Sequence, residues 1–346
     1  RERAHARLPL GQQMKRLLRP ALDIPRLGLP AFRLRILVRG VFVLLALATV
    51  DRHCAVDLCH TPAHRRPAPL SLELLQGNIP QDEKFQPGSG VPVALQWYAE
   101  ALRNAQADLV VAPETAIPLL PQQLIPGYLE GIQQRYAQGS QAAMVGIPLG
   151  DEAQGYTNSV LGMSAATQAE PYRYDKHHLV PFGEFIPPFF KWFTEMMNIP
   201  LGDFNRGTVG QASFAVAGQR IAPNICYEDL FGEELAARFA DPAQAPTVLV
   251  NFSNIGWFGN TLAVDQHLQI SRMRALELER PMVRSTNTGA TVIIDHRGVV
   301  THALERFSRG VLRGEVHGRG LGVSGGAAIT PFAWWASRWG LWPLWL

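Results

Sequence analysis

From residue 71 onward, short apolar runs alternate with longer segments in which apolar residues recur every three or four positions. The short runs predict strands, at residues 72–76, 108–112, 143–147, 159–163, 213–216, 220–226, 247–251, 282–286, 291–294 and 311–315. The longer segments predict helices, at residues 93–106, 122–138, 232–240 and 262–278. This βαβ alternation, with a hairpin at Ala217-Gly218, predicts an α/β fold in which helices cover a mixed sheet.

The N-terminal region has a different pattern. Residues 1–39 carry ten basic side chains and two acidic ones. They overlap an apolar stretch at residues 34–50, which could reach across a bilayer only if Arg35 and Arg39 extended to the lipid headgroups. Residues 1–50 are therefore predicted to form a basic region with a short membrane-associated segment, its N-terminus in the cytoplasm. A secretory signal and a buried core helix are the alternatives.

The C-terminal end is rich in tryptophan, a residue that concentrates at the boundary between water and lipid. Its tryptophans are Trp334, Trp335, Trp339, Trp342 and Trp345. Residues 326–346 are predicted to be a membrane-interface segment at the start of a truncated membrane helix. The alternative is a segment that docks on the protein itself.

Between these ends, residues 51–70 are predicted to be a linker and residues 71–325 the catalytic domain. Within the linker, two cysteines and two histidines form a cluster, His53, Cys54, Cys59 and His60. Their spacing is not that of a zinc site and no second pair of ligands follows, so no bound metal is predicted. A disulfide between the two cysteines is the alternative if this part of the chain lies outside the cytoplasm.

Composition narrows the function classes. The chain has 346 residues, of which 47% are hydrophobic, enough for about two domains with a sizeable core. The net charge of +3 is the sum of a basic N-terminal region and a mildly acidic remainder of the chain. This distribution argues against a nucleic-acid-binding protein with a basic face across its fold. The sequence contains no Walker motif of the kind that binds nucleotide phosphates.

Reactive side chains follow the predicted strands, the position at which layered α/β folds bind their ligands. These side chains are Glu114, Lys176, Glu184, Cys226, Glu228, Asn251, Ser253, Asn254 and Trp257. A thiol needs a base to become a nucleophile, and a nearby carboxylate such as Glu114 could take its proton. An adjacent lysine would stabilise the thiolate and the oxyanion formed on the attacked carbonyl. These residue types predict acyl chemistry through a thioester, with His177, His178 and His267 as lower-ranked candidates for the base.

Three motifs at these residues resemble the Glu-Lys-Cys triad of the nitrilase, or carbon–nitrogen hydrolase, superfamily. They are PETAIP with Glu114, YDKHHLVPFGEFIP with Lys176 and NICYEDLFGEE with Cys226. Three further stretches resemble its membrane branch, the apolipoprotein N-acyltransferases, namely LLQGNIPQDEKF, SNIGWFG and QISRMRALELERPMVRSTNTG. The resemblance covers about residues 70–346.

The resemblance implies a nitrilase-like αββα sandwich as the catalytic domain, flanked by membrane-associated segments. It implies that Glu114 is the general base, Lys176 the cation that stabilises the oxyanion and Cys226 the nucleophile. Supporting roles are expected for Glu184, Tyr227 and Glu228. Contacts with the substrate are expected from Asn158, Phe182, Phe185, Phe189 and Trp257. No cofactor is expected.

The implied reaction is the last step of lipoprotein maturation. Cys226 would take an acyl chain from a phospholipid, chiefly phosphatidylethanolamine. The acceptor would be the α-amino group of a diacylglyceryl-cysteine at the N-terminus of an apolipoprotein. The expected location is the bacterial inner membrane, with the catalytic domain facing the periplasm.

Two other functions stay open. The triad also suits a nitrilase-type amidase that hydrolyses the C–N bond of a small amide, and a non-enzymatic module that binds a membrane surface is the third candidate. The segment Phe185–Leu201 favours a lipid substrate, because it is dominated by apolar side chains and follows Glu184 directly. The alternative for this segment is packing in a dimer interface or under another loop.

Overall fold

The computed structural model describes residues 69–181, 183–185, 204–320 and 329–342, all within one compact unit, residues 65–346. Its strands are β1 (Leu70–Gln76), β2 (Leu109–Ala112), β3 (Ala142–Asp151), β4 (Gly155–Met163), β5 (Tyr172–Asp175), β6 (Phe214–Val216), β7 (Gln219–Ile225), β8 (Val248–Ser253), β9 (Met282–Thr286), β10 (Val292–Ile294), β11 (Val300–Ala303) and β12 (Gly310–Val316). Its α-helices are α1 (Gly90–Asn104), α2 (Tyr128–Tyr136), α3 (Gly232–Ala236), α4 (Leu262–Leu278) and α5 (Pro331–Trp339).

The described strands form two six-stranded sheets, in the orders β12-β1-β2-β3-β4-β5 and β11-β10-β9-β8-β7-β6. The central strands of each sheet, β1-β2-β3 and β7-β8-β9, are parallel, and the outer pairs are antiparallel. Because β5 is antiparallel to β4, which is antiparallel to β3, it runs in the same direction as β2. The carboxyl ends of β2 and β5 therefore point the same way.

Alternation along the strands divides the core into layers. In β1, Leu72 and Leu74 face the second sheet and pack with Val250 and Val283, whereas Leu75 faces helices α1 and α2. The outer face of the second sheet is covered by α3, α4 and α5. This period of two places one apolar layer between the sheets and one under each set of helices. The αββα prediction is confirmed, and the simpler expectation of a single mixed sheet is corrected to two.

Local predictions hold where a pattern is long and uninterrupted. Helix α4 and strand β9 have the predicted bounds. The helix predicted at residues 122–138 is interrupted, because Pro126 has no N–H to donate and Gly127 adopts a left-handed φ of 84°. Only residues 128–136 are helical there, after a short 3₁₀ helix at Pro121–Gln123. Strands β5 and β11 are not predicted from the sequence.

Several predicted features lie outside the described residues: the membrane-associated segment and the linker up to residue 68, Phe182, and residues 186–201 of the apolar segment. The domain boundaries stay predictions. Within the described ranges, no helix combines the length and the apolar character that crossing a bilayer requires.

Candidate active site

Cys226 lies directly after β7, at the start of a 3₁₀ helix, Cys226–Leu230. Its φ of 55° is in the left-handed region, which costs a non-glycine residue about 1–3 kcal/mol unless the surroundings impose it. Asn251 helps to hold this conformation, because its Nδ2 donates a hydrogen bond to the Cys226 carbonyl oxygen at 2.7 Å. The cysteine, predicted at a strand-to-helix turn, lies in a tight turn, and it remains partly exposed.

Glu228 holds this turn against the neighbouring sheet. Its Oε2 accepts hydrogen bonds from the backbone N–H of Ile225 at 2.6 Å and from the Tyr174 hydroxyl at 2.8 Å. Its Oε1 accepts the backbone N–H groups of His177 at 2.6 Å and His178 at 3.1 Å. Burial raises the pKa of Glu228, although these hydrogen bonds oppose the rise. The carboxylate thus links the cysteine turn to the residues that follow Lys176.

Glu114 follows β2 and reaches the site because Gly146 on β3 leaves room for its backbone. A Cβ on Gly146 would lie 2.2 Å from the Pro113 carbonyl oxygen. The buried Glu114 carboxylate accepts hydrogen bonds from Asn158 Nδ2 at 2.7 Å and from the backbone N–H of Asn254 at 2.9 Å. Both carboxylate oxygens are thereby held in place.

Lys176 follows β5 and is 1% exposed. Its Nζ lies 3.3 Å from Glu114 Oε1 and 2.9 Å from the Glu184 carboxylate. Asn158 Nδ2 donates to both carboxylates, at 2.7 Å each. Glu184 also accepts the backbone N–H of Val180 at 2.8 Å. Glu184 is therefore a second carboxylate of the same cluster.

The charges of this cluster determine its protonation at rest. Burial alone would raise the pKa of Glu114, but Lys176 and Lys84 outweigh burial and hold that pKa below its usual range. Burial alone would lower the pKa of Lys176, but Glu114 and Glu184 raise it well above its ordinary value. Glu114 is therefore a carboxylate at neutral pH and Lys176 an ammonium group.

The Cys226 thiol is protonated at rest. Burial raises its pKa to about 12, and repulsion from Glu114 and Glu184 adds to the rise, while Lys176 and the Ser253 hydroxyl oppose it. A protonated thiol beside an ionised carboxylate is the arrangement in which the carboxylate can act as a general base.

Lys84 is a buried cation that the sequence analysis missed. It lies in the loop after β1, is 2% exposed, and donates from Nζ to the backbone carbonyl oxygen of Glu114 at 3.0 Å. The motif LLQGNIPQDEKF contains this lysine, but its polar neighbours Asp82 and Glu83 are typical of a solvated turn. No local pattern indicates that Lys84 alone among them points inward.

The histidines considered as alternative bases have other partners. His177 Nδ1 lies 2.7 Å from the Gly207 carbonyl oxygen, and the His178 ring stacks on Phe231. His267 is buried, with Nε2 3.1 Å from Asp229 Oδ1. None of these rings forms a hydrogen bond with Cys226 in the described part of the chain.

The remaining candidates surround the cluster at different distances. The Tyr227 hydroxyl donates to the Leu179 carbonyl oxygen at 2.7 Å, and Lys176 Nζ lies 5.9 Å from the centre of the Tyr227 ring. Phe185 stacks with the Arg206 guanidinium at 4.6 Å, and Trp257 is 65% exposed. Phe182 and Phe189 lie outside the described residues, so their roles stay predictions.

A sequence model of the family described as Carbon-nitrogen hydrolase matches residues 74–319. The chain belongs to the carbon–nitrogen hydrolase family. Solved structures of this fold agree. A CN-hydrolase superfamily protein from Xanthomonas campestris matches with a TM-score of 0.54 at 18% identity, over 72% of this chain and 91% of that one. An amidase from a Nesterenkonia species matches with a TM-score of 0.51 at 14% identity, over 74% and 94%. At such identities the likeness shows the fold alone.

Relatives within this family are more similar in sequence. The chain is 77% identical over 298 residues to an apolipoprotein N-acyltransferase from Verminephrobacter eiseniae, covering 86% of this chain and 56% of that protein. It is 49% identical over 275 residues to one from Ralstonia nicotianae, covering 79% and 51%. The predicted resemblance to this branch of the carbon–nitrogen hydrolases is confirmed. The chain spans about half the length of the curated relatives it matches.

Proposed function

We propose that this chain carries the catalytic domain of a phospholipid:apolipoprotein N-acyltransferase in which Cys226 is the nucleophile, Glu114 the general base and Lys176 the stabilising cation. One observation carries the proposal. The Lys176 ammonium lies 3.3 Å from the Glu114 carboxylate, and both act electrostatically on the Cys226 thiol, in a chain similar to proteins named apolipoprotein N-acyltransferase.

In the first half-reaction, the Cys226 sulfur attacks the ester carbonyl carbon of a phospholipid while the thiol proton passes to Glu114. The new S–C bond places a negative charge on the carbonyl oxygen, which the Lys176 ammonium stabilises. The C–O bond then breaks, Glu114 returns the proton to the departing alkoxide, and a lysophospholipid leaves. The acyl chain remains on Cys226 as a thioester.

In the second half-reaction, the α-amino group of a diacylglyceryl-cysteine attacks the thioester carbonyl carbon. The C–S bond breaks as the amide forms, and Glu114 carries the proton lost by the nitrogen to the sulfur. The products are the N-acylated lipoprotein and the free thiol. Each half-reaction uses the same base twice, so Glu114 must sit within reach of the sulfur and of both leaving or attacking groups.

Exposed apolar side chains support a lipid substrate. Trp257, Phe258 and Leu262 are 65%, 54% and 68% exposed. They follow Asn254, whose backbone N–H donates to Glu114. Large exposed apolar groups close to a catalytic loop suit contact with acyl chains, whereas a small polar amide has no use for them.

The proposed setting is the bacterial inner membrane, with the domain facing the periplasm and phosphatidylethanolamine as the acyl donor. Helix α5 supports contact with a lipid surface. Its Ala333 and Ala336 pack on the protein, whereas Trp334, Trp339 and the following Trp342 are 46%, 49% and 65% exposed. Tryptophans exposed in this way are typical of the membrane–water interface.

An acyl-transfer assay tests the proposed function. The whole chain would be incubated with phosphatidylethanolamine vesicles and a synthetic diacylglyceryl-cysteine peptide, and the N-acylated peptide would be quantified by mass spectrometry. Glu114→Gln cannot accept a proton, so we expect its transfer rate to fall by about 100-fold or more. Glu130→Gln is the matched control, because Glu130 is exposed on α2.

Three outcomes would contradict the proposal. The first is a transfer rate in Glu114→Gln close to that of the wild type. The second is release of ammonia from small amides without lipid, together with no acylated peptide, which would indicate the amidase. A folded chain that performs neither reaction would indicate the binding module.

A further inference from the structure

Lys84 differs from Lys176 in the partners of its ammonium group. Lys176 pairs with the carboxylates of Glu114 and Glu184. Lys84 is equally buried, but among the described residues no carboxylate forms an ion pair with it, and it donates instead to the Glu114 backbone carbonyl oxygen. A buried ammonium group without a paired carboxylate is costly, because burial disfavours its charge. The burial of Lys84 therefore indicates a function beyond those of Glu114, Lys176 and Cys226.

The backbone of its loop directs Lys84 inward. The backbone N–H of Ile79 donates to the Asn287 side chain at 3.0 Å, which ties the start of the loop to the turn after β9. At the other end, a Cβ on Gly90 would lie 2.1 Å from the Glu83 carbonyl oxygen, so the loop packs directly on the first turn of α1. The position of Lys84 is thus fixed from both sides.

The charge of Lys84 completes the balance of the buried cluster. Glu114 and Cys226 both act on it electrostatically and favour its charged form. When it is charged, Lys84 and Lys176 together balance Glu114 and Glu184. Transfer of the thiol proton to Glu114 then leaves the cluster neutral. If Lys84 is uncharged, the same transfer leaves the cluster with a net negative charge, which disfavours the thiolate.

We propose that Lys84 is a second, positioning cation of this centre, which holds the Glu114 backbone and stabilises the negative charge that develops on Cys226. The proposal rests on the proposed role of Cys226 as the nucleophile. It assigns to Lys84 an effect on the reactivity of the thiol that can be measured without any acyl donor.

The effect of Lys84 is expected to depend on pH. Burial lowers the pKa of Lys84 to about 7, although Glu114 and Cys226 oppose the lowering. Lys84 is therefore charged below this pH and neutral above it. Glu114, Lys176 and Cys226 keep their protonation states between pH 6 and pH 9, because the pKa of Glu114 lies below its usual range, that of Lys176 far above its usual range, and that of Cys226 at about 12. Stabilisation of the thiolate by Lys84 should be present at pH 6 and absent at pH 9.

The test compares thiol reactivity in Lys84→Met, Lys84→Arg and the wild type. Each whole chain would react with methyl methanethiosulfonate, a small uncharged reagent, and the rate would be followed by mass spectrometry on the peptide that contains Cys226. An opposite charge nearby lowers a pKa by about one unit or more, so we expect Lys84→Met to react about tenfold more slowly at pH 6. At pH 9 it should react at the wild-type rate. Lys84→Arg, which stays charged, should match the wild type at pH 6 and exceed it at pH 9.

Lys176→Met is the matched comparison, because Lys176 stays charged at both pH values and its loss should slow the reaction equally at each. A difference between Lys84→Met and the wild type that is the same at pH 6 and pH 9 would overturn the proposal and indicate a structural role. Equal rates at both pH values would overturn it as well. Because no lipid is present, failure of the acyltransferase assignment would leave this comparison unchanged and is separately visible in the transfer assay.

Discussion

The carboxylate of Glu228 accepts the backbone N–H of His177 at 2.6 Å. This bond joins the turn after β7 in one sheet to the segment after β5 in the other. Because Lys176 precedes His177 and Cys226 lies two residues before Glu228, the bond sets the separation between the proposed cation and the proposed nucleophile. The relative position of two side chains from different sheets thus depends on a third residue that takes no part in bond making.

Replacing Glu228 with Gln should disturb this alignment. Every neighbour of the carboxylate oxygens is a donor, so the amide nitrogen of Gln would meet a donor and lose a hydrogen bond worth about 1–3 kcal/mol once buried. We expect the acyl-transfer rate to fall at least tenfold and the thermal midpoint to fall as well. Tyr174→Phe, which removes a single donor, should have a smaller effect, and Glu233→Gln on α3 should have none. A Glu228→Gln variant with the wild-type rate would show that the alignment does not depend on this carboxylate.

Glu114 and Cys226 could be predicted from the sequence because they directly follow apolar strands, whereas Lys176 follows β5, whose residues are mostly polar or aromatic, and was indicated by its motif alone. Glu114, Lys176 and Cys226 each come within two residues of the end of a strand, and the carboxyl ends of strands with a common direction meet at one edge. The motifs that contain them indicated the family and hence the two-sheet sandwich. Periodicity alone indicated only one mixed sheet, because alternation does not reveal which sheet a strand joins.

The rest depends on contacts between residues distant in sequence. Burial of Lys84 results from a loop held by Asn287, more than two hundred residues away along the chain. Strand β11 has exposed or half-exposed positions throughout, so it lacks the apolar alternation that predicts a strand. The break before α2 follows from Pro126 and Gly127. It was missed because the apolar residues on either side of them keep a helical spacing.

Gly146 should be intolerant of a side chain. A Cβ there would lie 2.2 Å from the Pro113 carbonyl oxygen and 2.8 Å from Glu114 Cα, so Gly146→Ala must displace the backbone that carries Glu114. We expect a loss of about 1–3 kcal/mol in the free energy of unfolding and a lower acyl-transfer rate. Gly131→Ala is the control, because nothing lies within 4 Å of its added Cβ, and in helix α2 it should stabilise by about 0.5–1 kcal/mol. Denaturant unfolding of both variants measures the difference, and equal stabilities would contradict the account.

Asp229 should contribute to stability in a pH-dependent way. It is fully buried and contacts the Ser271 hydroxyl, Arg284 at 3.5 Å and His267 at 3.1 Å. Burial alone would raise the pKa of Asp229, but His267 and Arg284 outweigh burial and hold that pKa below its usual range. A lowered folded-state pKa means that the stabilisation is present above the pKa of the unfolded chain. It is lost as the pH falls through the folded-state value.

Asp229→Asn should therefore lower the free energy of unfolding by about 3 kcal/mol at pH 7, since it leaves Arg284 buried without a countercharge. The difference from the wild type should shrink as the pH falls below 4. Asp82→Asn, at an exposed position, serves as the control. Thermal unfolding at a series of pH values tests the prediction, and a difference that stays constant down to low pH would assign the loss to packing instead of charge.

In the proposed reaction, Cys226 carries the acyl chain as a thioester. Intact-protein mass spectrometry after incubation with phosphatidylethanolamine vesicles, with and without hydroxylamine, tests this most directly. We expect the wild type to gain the mass of one acyl chain, which hydroxylamine removes, and Cys226→Ala to gain no such mass. An acyl adduct that persists in Cys226→Ala, or the absence of any adduct on a wild-type chain that still transfers acyl groups to the peptide, would contradict it.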